Sequence, residues 1–296
     1  MARRHDGRAL RGAAGGVAAL RRDLLVRFLH DYPFQPATAH WRAVEAGHLI
    51  AAGLPQGRGL DLGCGDGLLT RILLEQAGAR EIVGVDPDPA EASQAEKLGI
   101  YSIVHTVGGD SVPEPDGSFD WVLSNSVLEH IEELDPILGE VGRLLRSDGE
   151  FVFTVPGPDF HSCLRGPLIP GASRDAYLRH LDARLAHHRY WGVDEWESAL
   201  RGHGMRGAES SAYLTEAEVR RWESISRATA GILYGLAPRR PQPIEIQRRL
   251  GMRKAGQRMP LVFARALATV LSAGLNGRST GTSPRYGCLL VRAAKR

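Results

Sequence analysis

Seven residues, DLGCGDG at positions 61–67, constrain the fold of this 296-residue chain more than any other stretch. A short apolar run (Gly59, Leu60, Leu62) leads into them, and Leu68, Leu69, Ile72 and Leu73 follow on one face of a helical pattern. Glycines at alternate positions, Gly63, Gly65 and Gly67, let the backbone turn sharply and remove the Cβ atoms that would hold a ligand away. A second apolar run, EIVGVD, then ends in the carboxylate of Asp86. A strand, a glycine turn, a helix and a second strand ending in an acid form the α/β arrangement that holds the two hydroxyls of a ribose. The chain therefore reads as an α/β protein with a site for an adenosine-type cofactor.

The spacing separates two kinds of cofactor. A dinucleotide fingerprint needs G-x-G-x-x-G to bring a pyrophosphate onto a helix N-terminus. Here the loop is G-x-G-x-G and carries Asp61 and Asp66. Those acids would repel a pyrophosphate but suit a ligand bearing an ammonium and a sulfonium. The pattern resembles motif I of the class I S-adenosylmethionine (SAM) methyltransferases. Further along, LSNSVLEHI (123–131) and LLRSDGEFVFTVP (144–156) are close to later motifs of the methyltransferase type 11, UbiE-like branch. The likeness is close over about a third of the chain, 58–156, and loose over 40–294.

That resemblance implies a Rossmann-like sheet of seven strands in the order 3-2-1-4-5-7-6, the last strand antiparallel, with helices on both faces. Periodicity independently gives alternating strands and helices through residue 156, with a sixth strand at 205–214 and a seventh at 286–294. The domain reading is a tail and first helix at 1–37 and a SAM-binding core at 38–214. A helical insertion or lid for substrate recognition follows at 215–285, and the final strand and C-terminus at 286–296.

Cofactor candidates are Asp61, Gly63, Cys64, Gly65, Asp86, Pro87, Asp110, Ser124 and Asn125. By the family pattern Asp61 orients the methionine end of SAM. Relatives also carry an acid for adenine before the PDGSFD turn. Val107 and Gly108 stand at the expected position, so Asp110 takes that role only after a two-residue slip. Ser124 and Asn125 sit at the carboxyl end of the fourth strand, where α/β sheets bind ligands. Asp88 is the better helix cap beside Asp86.

Methyl transfer is an in-line displacement that leaves S-adenosylhomocysteine, and it needs a base only for a protonated nucleophile. Catalytic candidates are His161, His187, His188 and Tyr190, with His40 in a cap helix; each histidine is equally a candidate for a structural role. Arg165 and Arg189 are alternatives for binding an acidic substrate group.

Three scattered cysteines without C-x-x-C spacing give no disulfide framework and no metal site. Cys64 reads as a small filler. The N-terminus has no long apolar core of a signal peptide, so a cytoplasmic protein is expected. Residues 238–258 hold seven basic side chains against Glu245 alone, so the remainder is net negative although the whole chain is +3. The apolar run 259–275 follows. One reading is a packed lid helix; the other is peripheral contact of 238–275 with an anionic membrane. Nucleic-acid binding is not expected, because the basic stretch has no interleaved aromatics. The expected function is transfer of a methyl group to a small-molecule acceptor. A lipid- or glycan-linked acceptor and a non-catalytic SAM-binding protein are the alternatives.

Overall fold

The computed structural model describes residues 20–78, 80–231, 257–275 and 285–296. Seven strands form one sheet: β1 Gly59–Leu62, β2 Ile82–Val85, β3 Ile103–His105, β4 Phe119–Asn125, β5 Leu145–Pro156, β6 Met205–Thr215 and β7 Tyr286–Lys295. Their order is β3-β2-β1-β4-β5-β7-β6, as the resemblance implied. Strands β1 to β5 run parallel, and β7 is antiparallel to both β5 and β6. The central strands β1 and β2 are buried at every position, which fits their continuous apolar sequence.

Helices cover both faces: α1 Arg22–Asp31, α2 Pro36–Ala52, α3 Leu68–Ala77, α4 Pro89–Lys97, α5 Asp135–Leu144, α6 Phe160–Cys163, α7 Arg174–Leu185, α8 Val193–Arg201, α9 Glu216–Ser226 and α10 Leu261–Ser272. One face of the sheet packs on α5 and α8 through Ile137, Leu138, Val141, Trp196 and Leu200. On the other, α1, α2, α3, α9 and α10 share a core that includes Phe28, Val44, Ile72, Trp222 and Ala264. Trp222 and Phe160 both pack edge-on against Trp41 of α2.

The stretch 215–285 was expected to be a helical insertion or lid for substrate recognition. Its described parts are continuous with the main core. Helix α9 buries Val219, Trp222 and Ile225, and α10 buries Ala264 and Ala268 against the same cluster. The first nineteen residues and most of the basic stretch, 232–256, lie outside the described residues. No described helix is long and apolar enough to cross a membrane.

Candidate cofactor and acceptor site

The glycine loop is built onto the end of β2. The amides of Gly63 and Cys64 both donate to the carbonyl of Val85, at 2.8 and 2.9 Å. One step further, the Gly65 amide donates to Asp86 Oδ2 at 2.8 Å. The loop therefore stands directly over the acid that ends the second strand. Gly63 has φ +78°, and a Cβ there would lie 2.4 Å from Val127, so both backbone conformation and space require glycine. Gly65 also has positive φ, +54°, where side chains are disfavoured. Asp66 joins the loop to the N-terminal helices by accepting the Tyr32 hydroxyl at 2.9 Å.

Asp86 accepts the Asp88 amide on Oδ1 at 2.9 Å, while Asp88 caps α4 through the amide of Ala90. The helix cap and the strand-end acid are thus different residues. Asp61 is buried and accepts Thr70 Oγ1 at 2.5 Å and the Tyr101 hydroxyl at 2.7 Å. Burial pushes its carboxyl up to about 6, against the pull of those two donors. Loss of water likewise raises the Cys64 thiol, as expected of a filler rather than a nucleophile.

These elements enclose a cavity of about 720 Å³. Its wall includes Asp61, Gly63, Cys64, Gly65, Asp86, Pro87, Asp110 and Asn125 of the sequence candidates. Ser124 is the exception. It is fully buried and its hydroxyl donates to the Leu62 carbonyl at 3.1 Å, so it ties β4 to β1 and does not line the cavity. Among the described lining residues are seven carboxylates (Asp61, Asp66, Asp86, Asp88, Glu91, Asp110, Glu133) and one arginine, Arg42.

Arg42 and its partner Glu45 were invisible in the sequence reading. Glu45 is fully buried in α2 and gathers Arg42 at 2.6 Å, Asn125 at 3.1 Å, Ser126 at 2.7 Å, Thr154 at 2.9 Å and Tyr213 at 2.9 Å. Burial opposes its charge, but Arg42 and the Ser126 and Thr154 hydroxyls hold its carboxyl below the ordinary range. This one side chain clamps the ends of β4, β5 and β6 to the helix above the cavity. The only sequence signal was an Arg–Glu pair at i, i+3, the sole Arg/Lys/Asp/Glu side chains of this helix.

The four catalytic candidates do not line the cavity. His161 Nε2 and the Tyr190 hydroxyl converge on Asp182 Oδ1, at 2.9 and 2.5 Å, and His187 Nδ1 lies 3.1 Å from the Tyr190 oxygen. His188 is exposed, and its backbone amide donates to the Glu129 carbonyl at 2.8 Å. The imidazole that reaches the wall is His130, whose ring centroid lies 5.2 Å from that of His187. His40 is buried on the Glu218 carbonyl, so it serves the fold. Arg189 directs its guanidinium at the Leu128 and Glu132 carbonyls, closing the turn after β4 rather than facing a substrate. Arg165 is exposed and away from the cavity wall.

An open glycine cradle, a strand-end acid and an anionic wall fit SAM, whose sulfonium and ammonium outweigh its single carboxylate. They do not fit the two phosphates of a dinucleotide. Fold and site therefore define a SAM-binding α/β domain.

Comparison with known proteins agrees. Residues 60–153 match the methyltransferase domain of the type 11 family. The chain is 31% identical to malonyl-[acyl-carrier protein] O-methyltransferase of Geobacter sulfurreducens, over 54% of this chain and 60% of that protein. It is 28% identical to the protein of the same name from Halorhodospira halophila, over 83% of this chain and 79% of the other. The match to the Geobacter protein thus takes in somewhat under two thirds of that relative. A SAM-dependent methyltransferase structure from Thermotoga maritima shares the fold with a TM-score of 0.50 and 15% identity, covering 93% of this chain and 99% of that one. Residues 60–153 thus carry a methyltransferase domain of the type 11 family, whose cofactor is SAM.

Proposed function

We propose that the protein moves a methyl group from SAM to an oxygen, nitrogen or carbon nucleophile of a small-molecule acceptor. The observation that carries this reading is the cavity wall of seven carboxylates and one arginine. Asp86 is assigned the ribose hydroxyls, a charge-assisted contact. Asp110, on the same wall, is assigned the adenine edge, and Arg42 the α-carboxylate. Gly63 and Gly65 allow close approach, and Asp61 and Asp66 supply the negative field for the cationic groups.

When bound, SAM supplies a methyl carbon on a sulfonium, open to in-line attack. The chain's own contribution is alignment and exclusion of water. Asn125, Ser126, His130 and Ile131 bound the end of the cavity beyond β4, the side assigned to the acceptor. His187, with Tyr190 and His161 behind it, positions His130 from outside the wall. Incubating the protein with methyl-labelled SAM and an ultrafiltered small-molecule extract should move label into a small product. Label found only in macromolecules or in the lipid phase would overturn the acceptor class.

A lipid-linked acceptor is the second reading, argued from one feature. Helix α10 buries Ala264 and Ala268 in the core and turns Leu261, Val262, Phe263 and Val270 outward, 48 to 68% exposed. The basic residues Arg248, Arg249, Arg253 and Lys254, outside the described residues, precede it. Each basic residue near an anionic surface contributes on the order of 1 kcal/mol. On this reading the protein cosediments with anionic but not neutral vesicles, is released by salt, and loses binding when those four are neutralised. Failure to sediment with either vesicle removes the reading.

A further inference from the structure

Behind the cavity wall lies a cluster that the sequence analysis did not assemble. Glu129 and His130 follow β4, and His187 follows α7. One potential ligand atom from each lies within 4.8 Å of the others. Glu129 is 1% exposed, and its Oε2 has no hydrogen-bond partner. A buried carboxylate oxygen without a donor is costly to hold, and such a group calls for an explanation.

The two imidazoles are oriented by the groups behind them. His130 Nδ1 lies 3.1 Å from the Ala186 carbonyl, an obligate acceptor, so Nδ1 carries the proton. The Tyr190 hydroxyl donates to Asp182, which leaves its oxygen to accept from His187 Nδ1 at 3.1 Å. In both rings Nε2 is then left with a lone pair. His130 Nε2 lies 3.9 Å from Glu129 Oε1. Metal-binding histidines have this arrangement, with one nitrogen donating to a carbonyl or hydrogen-bonded oxygen and the other ligating.

We propose that Glu129, His130 and His187 bind one divalent transition-metal ion of the zinc class beside the cofactor cavity. Two imidazoles and one carboxylate suit zinc, which in catalytic sites has three protein ligands and an open fourth position. Tetrahedral ligand atoms about 2.0–2.1 Å from the metal stand roughly 3.4 Å apart, so the side chains must draw in by about 1 Å. The exposed ring of His130 has room for that shift. Because His130 also lines the cavity, the open position suits an acceptor hydroxyl or carboxylate oxygen. This last clause rests on the proposed methyl transfer; the metal site does not.

The test titrates chelator-treated full-length protein with Zn²⁺, and with Co²⁺ as a visible-absorption probe, alongside a SAM titration. One ion per chain is expected, with a tetrahedral cobalt spectrum. Glu129→Gln and His187→Ala should each weaken Zn²⁺ binding roughly 100-fold or more. Tyr190→Phe, which removes the oxygen that accepts from His187 along with the donor to Asp182, should weaken it about 10-fold. His130→Ala, at an exposed ring, gives a third ligand variant, one that leaves the core untouched. No bound metal in the wild type, or wild-type affinity in the folded ligand variants, overturns the site. Absence of SAM binding with metal retained would instead sink the cofactor reading and leave the metal site standing.

Discussion

Replacing Glu45 with alanine should lower the unfolding free energy by about 3–5 kcal/mol, the usual cost of breaking a buried ion pair from one side. The change strips Arg42 of its partner. It also removes the acceptor of the Tyr213 hydroxyl and one acceptor of the Thr154 hydroxyl, both at residues with no exposed surface. Urea unfolding measures it, with Glu45→Gln expected to fall between alanine and wild type because it keeps an acceptor oxygen. Affinity for SAM should drop as well, since Asn125 and Ser126 lose the anchor that fixes the cavity end. A loss under about 1 kcal/mol would mean that the pair is held no better than a surface salt bridge.

For Asp86→Ala the expected effect falls on binding. The assigned bidentate contact with the ribose is worth on the order of 2–3 kcal/mol, or roughly 30- to 150-fold in affinity. The same carboxylate braces the amides of Gly65 and Asp88, so the loop also loses a tie. Stability should change little, because α4 keeps its own cap on Asp88. Calorimetric titration of the folded variant checks this, and wild-type affinity would remove Asp86 from the ribose site.

Most of the sheet was legible because its signals are local. The glycine loop, the acid ending β2 and the alternation of apolar runs each lie within a few dozen residues, and the implied strand order holds through β7. Boundaries moved little: the strand expected at 205–214 is Met205–Thr215, and the one expected at 286–294 is Tyr286–Lys295. What stayed hidden depends on contacts distant in sequence. Glu45 meets Asn125, Thr154 and Tyr213 across separations of 80, 109 and 168 residues, which no periodicity reveals. Arg189 resembled an anion binder, yet its guanidinium caps carbonyls some sixty residues away. Ser124 lies at the correct strand end, but the β-pleat turns its hydroxyl toward β1 instead of the cavity. The candidate histidines His161, His187 and His188 do not line the cavity wall, which His130 reaches instead.

The central claim is that an anionic, glycine-floored cavity selects a sulfonium cofactor over a dinucleotide. The most direct measurement is calorimetric titration of the purified protein with SAM, S-adenosylhomocysteine and NAD. Binding of one SAM per chain, competed by S-adenosylhomocysteine and accompanied by no heat with NAD, is the predicted result. Saturable binding of NAD, or no binding of SAM by the folded protein, would contradict it.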